Sequence, residues 1–455
     1  MHENFVTPIS KWGLSAVAEL FFTAGFIPAE LDAIDRLVGN YMGKYSVPGL
    51  SIAITKDGRL VYAKGFGQAR KPTLWDRITL QAAEDVSPWS RFRIASVTKP
   101  FTVVAIFKLV EQGRLSLADK VFGAGGVFGS DFGFDALTPE QKPSSLAQIT
   151  VQHLLEHASG GWQNDSRDPM FVQPELTHQH LIAWVLRNRP LENQPGAIWA
   201  YSNFGFCLLG RIIERVSGQP YADYVRANVL APCGITTMEV AGDTLAQRRV
   251  GEVVYYGQPY YIRFHVGAAG TSDVILKQED DPYAIPVARM DSHGGWIASA
   301  IDLVRFAVHV DAFSQPPDIL SAASIATMTT PTTAREFATN EDPKYAKGWD
   351  VRGNGNKQNW FHDGILPGTT SLLVRDASGF CWAALMNTRQ ANTQTQMIAD
   401  LDQMIRSFIF DDKSRSTKAV VSQWPTTDHF HAYDDPWKSA KVVSIQGSKA
   451  FAQKK

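Results

Sequence analysis

Apolar and polar positions alternate in ways that predict strands near both ends of the chain and helices between them. Apolar residues recur at helical spacing from Glu30 to Tyr45. Two runs rich in β-formers, 50–55 and 60–65, then flank an Asp-Gly pair in the turn 56–58. The pattern therefore predicts an amphipathic helix followed by a β-hairpin.

The middle of the chain is predicted to be mostly helical. The run after Ser96 contains Pro100, which a first helical turn tolerates, and Gly113 supplies a stop, so we expect a helix from about Val97 to Gln112. Residues 122–147 are rich in Gly, Pro and Ser and indicate a loop. Further helices are expected at 151–157, 179–187 and 204–216, before an excursion with short strands at 241–290.

Strand signals return at 359–362, 370–375 and 380–386, and a helix at about 394–410 follows. Strands at both ends imply an α/β fold of the α+β type, with a mixed, mostly antiparallel sheet, flanking helices and an inserted helical lobe. We expect a catalytic cleft between the lobes. The predicted parts are an N-terminal extension (1–29), a catalytic domain (30–410) with a sheet lobe (30–95 and 290–410) and a helical lobe (96–289), and a polar tail (411–455).

Composition narrows the classes of partner. The chain has 455 residues, 44% of them apolar, and a formal net charge of -1. Its overall electrostatic potential therefore does not favour binding to nucleic acid or to an anionic membrane. A small-molecule substrate is expected, and the oligomeric state stays open. Three cysteines in apolar settings, Cys207, Cys233 and Cys381, predict small core residues rather than disulfides or a thiolate metal site.

The N-terminal run 12–29 is fairly apolar, but Glu19 interrupts it and only Lys11 supplies a positive flank. It is a poor signal peptide and too short to span a bilayer, so a surface-packed helix is expected. With no other long apolar run, the chain is expected to be soluble. The weak leader favours the cytoplasm, although the compartment stays open.

Ser96 and Lys99 are the strongest candidates for catalysis. They stand three residues apart, which on a helix places both side chains on one face. A serine hydroxyl needs an adjacent base, and a buried lysine can act as one when its pKa is lowered. This is the only S-x-x-K in the chain, and the N-terminus of the following helix can stabilise negative charge.

Two further segments carry candidate chemistry. Tyr201 and Asn203 form the only Tyr-x-Asn in the chain; a phenol whose pKa a nearby lysine lowers can pass the serine proton to a leaving group, and the amide can hold Lys99 or a substrate carbonyl. His362 and Gly364 lie on a predicted strand. The glycine lets a substrate lie along that strand, near backbone N–H groups that can face an oxyanion.

The ordered set S-x-x-K, Y-x-N and H-x-G resembles the serine β-lactamase and penicillin-recognising superfamily. Within it, the chain is most similar to the branch of class C β-lactamases, D-aminopeptidases and related esterases. The resemblance covers roughly residues 30–410 and includes the stretches VPGLSIAITKDGRLVYAKGFG, ITVQHLLEHASGGW, PGAIWAYSNFGFCLLGRIIERVSG and GGWIASAIDLVRF. The resemblance implies a serine hydrolase that works through an acyl-enzyme without a cofactor or metal.

The resemblance also implies residue roles. Ser96 is acylated, Lys99 and Tyr201 act as the base pair, and Asn203 positions Lys99 and substrate. The N–H groups of Ser96 and Ile365 form the oxyanion hole. His362 replaces the lysine that begins the K-T-G element of class C β-lactamases, and a neutral histidine holds a substrate carboxylate less well than a fixed cation. We therefore expect a carboxylesterase first; β-lactamase, D-aminopeptidase, D-Ala carboxypeptidase and acyltransferase activities remain alternatives.

Three rival interpretations are open to test. His153, Glu156 and His157 form an H-x-x-E-H pattern, which is typical of inverted zinc proteases, but the helix ends at once in Ala158-Ser159-Gly160-Gly161. The G-x-S-x-G of α/β-hydrolases does not occur. A catalytically silent binding scaffold remains the alternative of another class.

Overall fold

The hairpin expected near the N-terminus lies at the centre of a large sheet in the computed structural model, which describes residues 25–72, 74, 83–141, 144–266, 272–336, 344–353 and 355–432. Strand β1 (Gly49–Lys56) pairs antiparallel with β2 (Arg59–Arg70) and with the C-terminal strand β14 (Phe380–Met386). Leu50 lies opposite Met386. The two ends of the domain therefore share one sheet, as predicted.

Within the described residues this sheet has seven strands in the order β11-β12-β13-β14-β1-β2-β3, and neighbouring strands are antiparallel. Its other members are β3 (Glu84–Asp85), β11 (Asp350–Arg352), β12 (Asn359–Leu366) and β13 (Thr369–Arg375). Smaller pairings join β4 (Phe92–Arg93), β9 (Trp296–Ala298) and β6 (Glu239–Val240), then β5 (Ile198–Trp199) with β10 (Arg335–Glu336), and β7 (Tyr260–Val266) with β8 (Ser272–Gln278). The hairpin β7–β8 lies in the expected excursion.

The helices occupy the flanks of the sheet and the lobe inserted between its strands. They are α1 (Pro28–Tyr45), α2 (Thr98–Glu111), α3 (Val151–Leu155), α4 (Pro169–Val172), α5 (His178–Asn188), α6 (Asn203–Ser217), α7 (Tyr221–Val225), α8 (Ala300–Ala307), α9 (Ala322–Met328) and α10 (Gln394–Ile409). A π-helical turn, Arg226–Leu230, continues α7. The observed architecture confirms the predicted fold class.

Most predicted boundaries hold to within a few residues, and the exceptions have local causes. The predicted helix 151–157 ends at Leu155, because His157 adopts a left-handed backbone with φ 56°. The predicted strand 359–362 continues to Leu366, because pairing with β13 extends to Leu366 opposite Thr369.

The core lies on both faces of the large sheet. On one face, α1 and α10 pack on residues of β1, β13 and β14, such as Ile52 and Trp382. On the other face, a larger cluster joins the sheet to α2, α6 and α8. Cys207, Cys233 and Cys381 are free and buried, which confirms their prediction as core residues. The segment with the Ser-x-x-Lys pair is therefore held between the sheet and the helical lobe.

The segment beyond Asp411 is polar and without periodicity in sequence, and its described part, 411–432, lies against the sheet lobe. Val421 is buried in the α1–α10 cluster, and the Ser422 backbone N–H donates to the Glu30 carboxylate at 2.8 Å. The Leu60 N–H donates to Asp428 at 3.0 Å. The expectation for the N-terminal run 12–29 falls largely outside the described residues, as does the rest of the tail.

Candidate active site

Ser96 stands in a short 3-10 turn, Ala95–Val97, that leads directly into α2. Ala95 has a left-handed backbone with φ 46°, a conformation that costs a non-glycine residue about 1 kcal/mol. The Ile94 N–H donates to the Trp296 carbonyl on β9 at 2.9 Å, which holds the approach to the turn. The sharp turn therefore presents Ser96 at the N-terminus of a buried helix.

Lys99 is completely buried and its amine contacts only uncharged oxygens. Its Nζ lies 3.1 Å from Ser96 Oγ, 2.9 Å from Asn203 Oδ1 and 3.0 Å from the His293 carbonyl oxygen. Burial lowers the pKa of Lys99 to about 7, against the opposing effect of the Asp168 and Asp363 carboxylates. A substantial share of Lys99 is neutral near pH 7 and can accept the serine proton.

Asn203 begins α6, whose first turn is capped by Ser202 accepting from the Gly205 N–H. Its Oδ1 accepts from Lys99, and its Nδ2 donates to Asp168 Oδ2 at 2.9 Å. The amide therefore positions the lysine, one of its two expected roles.

Asp168 is the residue of this cluster that sequence reasoning missed. It is buried, caps α4 by accepting from the Met170 N–H at 2.8 Å, and has a pKa that burial raises to about 6. Its signal in the sequence, an Asp before a Pro, indicates only a helix start. The structure adds the second role, because the carboxylate orients the Asn203 amide.

Tyr201 lies beside Lys99, with the lysine Nζ 4.6 Å from the centre of the phenol ring. The expected lowering of its pKa is wrong. Burial raises the pKa of Tyr201 well above its ordinary value; the Ser96 side chain opposes the rise, and the Asp363 carboxylate adds to it. The buried hydroxyl makes no hydrogen bond of good geometry with the described residues. The phenol therefore stays protonated and can act as a proton donor.

His362 lies on β12 and faces the same site, with its ring centre 6.4 Å from that of Tyr201. Burial, with a smaller effect of Lys99, lowers the pKa of His362 to about 3. Its Nε2 is 3.3 Å from the Tyr345 hydroxyl, and its Nδ1 is 2.6 Å from the Asp363 carbonyl oxygen. His362 is neutral at physiological pH, as the sequence analysis expects.

Gly364 brings β12 against the turn that carries Ser96. A Cβ at this position would lie 2.4 Å from the Ile94 carbonyl oxygen and 3.0 Å from the Ser96 nitrogen, so only glycine fits. Ser371 on β13 donates to the same Ile94 carbonyl at 2.6 Å. Ile365 follows on the strand and lines the cavity beside Ser96. The expected oxyanion donors thus lie on adjoining segments.

These residues surround a cavity of about 490 Å³, a size that suits a small substrate. The side chains that line it include Ser96, Tyr201, Asn203, His362, Asp363, Asp350 and Arg389. Its aromatic walls are Phe171, Trp199, Tyr201 and Tyr345. Trp162 and Trp296 are buried in the core instead, and Phe361 packs at the edge of the α1–α10 cluster.

The H-x-x-E-H segment has structural partners. His153 Nδ1 accepts from the Thr150 N–H at 3.2 Å in a capping box, and His157 Nδ1 accepts from the Ser202 N–H at 3.1 Å. Glu156 lies 2.7 Å from the Lys347 amine. Among the residues that the structure describes, no group of three or more His, Cys, Asp or Glu side chains could hold a metal ion. This motif therefore serves the fold.

A serine hydroxyl beside a buried lysine amine, set between an antiparallel sheet and a helical lobe, defines the class of site. The model of the Beta-lactamase family matches residues 34–403, and the chain belongs to this family.

The chain is similar in sequence to two bacterial proteins. "Penicillin-binding protein 4*" of Bacillus subtilis (strain 168) is 26% identical over 333 residues, which are 71% of this chain and 64% of that protein. "Protein flp" of Staphylococcus aureus (strain N315) is 25% identical over 394 residues, 85% of this chain and 68% of that protein. The chain thus spans about two thirds of the length of these relatives.

Solved structures share the fold. The octameric penicillin-binding protein homologue from Pyrococcus abyssi superposes with a TM-score of 0.59 at 25% identity, covering 83% of this chain and 77% of that one. The D-amino acid amidase from Ochrobactrum anthropi SV3, complexed with L-phenylalanine amide, has a TM-score of 0.61 at 22% identity, covering 83% of this chain and 97% of that one.

In the described part of this chain, no helix has the length and apolar character needed to cross a membrane.

Proposed function

We propose that this chain is a serine hydrolase that forms an acyl-enzyme on Ser96 with ester or amide substrates. The observation that carries the proposal is the fully buried Lys99 amine, 3.1 Å from Ser96 Oγ, with a pKa near 7. A neutral amine at this distance is a general base for the hydroxyl. Membership of the Beta-lactamase family supports this assignment.

The geometry favours a defined path for the proton. Ser96 Oγ attacks the substrate carbonyl as its proton passes to Lys99. The tetrahedral oxyanion would face the N–H groups of Ser96 and Ile365. Tyr201, protonated at rest, gives its proton to the leaving group and regains one from Lys99. Water then attacks the acyl-enzyme and gives one proton to Lys99 and Tyr201, which pass it to Ser96 Oγ as the acid product leaves.

Carboxylesterase activity is the first choice, because the cavity has neutral His362 at the position where a β-lactamase has a lysine. β-Lactamase, D-aminopeptidase, D-Ala carboxypeptidase and acyltransferase reactions use the same acyl-enzyme and remain alternatives. Similarity to a penicillin-binding protein and to a D-amino acid amidase keeps amides among the candidates. We also propose residues 30–410 as the catalytic unit.

The test is turnover of p-nitrophenyl esters by the wild type and by Ser96→Ala. We expect at least about a 10³-fold loss in the variant, because the nucleophile is removed from a unit whose parts act together. Intact-mass spectrometry should show one acyl group on the wild type, and peptide mapping should place it on Ser96. Ser130→Ala, which alters an exposed serine, is the control. Unchanged turnover in Ser96→Ala would overturn the assignment of Ser96 as the nucleophile. No turnover by the wild type on esters, amides and a cephalosporin would favour the silent scaffold.

A further inference from the structure

Two carboxylates line the cavity beside the nucleophile, and the proposed chemistry uses neither. Asp363 follows His362 on β12, and Asp350 begins β11 on the neighbouring edge of the sheet. Asp350 pairs with Phe361, which lies two positions before Asp363 on the same face of β12. This diagonal relation across an antiparallel pair places the two residues about 7–8 Å apart.

Neither carboxylate has an ion-pair partner among the described residues. Arg352, the next cation on β11, lies over the Phe361 ring at 4.1 Å and approaches Asp402 at 3.9 Å. The Lys99 amine is hydrogen-bonded to uncharged oxygens and forms no ion pair with either carboxylate. Burial and the Asp363 charge raise the pKa of Asp350 to about 7, and burial raises that of Asp363. The Arg352 charge opposes both shifts, and the Lys99 charge opposes that of Asp363. A cation bound between them would relieve this cost.

The positively charged side chain in the cavity lining is already paired with an acid. Arg389 also lines it, but both its Nε and its Nη2 donate to Asp280 Oδ1, at 2.9 and 2.6 Å. Asp280 is buried and also accepts from the Gly368 N–H at 3.1 Å, so the pair is built into the wall. A substrate carboxylate would therefore meet two acids and no free cation in the described lining.

Tyr201 lines the same cavity. Its hydroxyl is buried and makes no hydrogen bond of good geometry with the described residues, although the nearby Ser96 side chain opposes the rise of its pKa. Buried hydroxyls are normally satisfied, so we expect this one to bond to Ser96 or to a bound substrate. Ser96, Tyr201 and the two aspartates therefore line one cavity.

We propose that Asp363 and Asp350 form a cation-accepting subsite beside Ser96, so that the preferred substrate is an ester or amide bearing a protonated amine. This inference rests on the proposed serine hydrolase function. An amine would lie against the β11–β12 edge while its carbonyl reaches Ser96. A substrate carboxylate in that place would meet two acids and no free cation in the described lining, so it would bind less well than an amine.

The test uses three p-nitrophenyl esters of similar length, made from hexanoic acid, 6-aminohexanoic acid and adipic acid as the monoester. We expect kcat/KM for the amine to exceed that for the neutral ester by about tenfold or more, as one charge-assisted hydrogen bond allows, with the carboxylate last. In Asp363→Asn the amine-to-neutral ratio should fall toward one. Asp223→Asn, an exposed acid of the helical lobe, should keep the wild-type ratio.

The outcomes separate this inference from the function on which it rests. If no ester is cleaved in a Ser96-dependent manner, the serine hydrolase proposal fails. If the hexanoate ester is cleaved but the amine shows no preference, or Asp363→Asn keeps the preference, the subsite is wrong. Should the variant not fold, hexylamine and hexanoate are compared as inhibitors of the wild type. Stronger inhibition by hexylamine supports the subsite, and the reverse order overturns it.

Discussion

Two lysines are buried among the residues that the structure describes, and the partners of their amines differ. Lys99 contacts the oxygens of Ser96, Asn203 and His293, all uncharged. Lys347 lies 2.7 Å from the Glu156 carboxylate, which also accepts from the Thr332 hydroxyl at 3.0 Å. Burial penalises the charge of any lysine, but a carboxylate in contact offsets that penalty. The partner that each amine contacts, rather than burial alone, therefore distinguishes the two lysines.

Removing the Lys99 amine tests the first half of this comparison and has the largest expected effect. Lys99→Met should lower kcat/KM on p-nitrophenyl esters by about 10³–10⁴-fold, because the general base is lost. The free energy of unfolding, measured by urea denaturation, should not fall, because an apolar side chain replaces an amine that is costly to bury. Retention of more than a tenth of wild-type activity would contradict the assignment.

Removing the Lys347 amine should have the opposite signature. Lys347→Met leaves Glu156 buried without its cation, so the free energy of unfolding should fall by about 3–5 kcal/mol. Ester turnover per folded molecule should stay near that of the wild type. Adding Glu156→Gln should recover part of the stability by removing the unpaired charge. A variant that kept full stability but lost activity would reverse the roles given to the two lysines.

A charge exchange can make Lys99 resemble Lys347. Combining Asn203→Asp with Asp168→Asn keeps the hydrogen-bond pattern and the net charge while moving the carboxylate into contact with Lys99. In the wild type, activity should rise with pH through about 7 as Lys99 loses its proton. In the double variant the pKa of Lys99 should rise. The acid limb of the pH profile, where activity rises with pH, should then move to higher pH by about one unit or more. The pH profile of kcat/KM measures the shift, and an unmoved limb would mean that another group controls it.

The single substitution Asp168→Asn has the smallest expected effect on the pH profile. The Asp168 carboxylate raises the pKa of Lys99 through space, so its neutralisation should lower that pKa. The acid limb should move toward lower pH by less than about one unit, because the carboxylate acts through the intervening Asn203 amide rather than by contact. A shift toward higher pH would show that Asp168 acts in another way.

The sequence by itself determined what depends on short spacing. Helical periodicity places Lys99 one turn after Ser96, and the Ser202 cap fixes the start of the helix that carries Asn203. Alternating strands and the turn at Gly58 likewise predicted the hairpin that centres the sheet. These features were accessible because backbone geometry links residues only a few positions apart.

The tertiary structure decided which distant groups meet, and therefore what each one does. Asn203 reaches Lys99 across 104 positions of sequence, and the pKa of Tyr201 rises because packing buries it among acids. Nothing local distinguishes Asp168, which orients that amide, from an ordinary helix cap. Glu156 likewise fits a metal-binding motif by its spacing in the sequence, but in the structure it forms an ion pair with Lys347. Burial and contact set pKa values, and both arise only when the whole chain has packed.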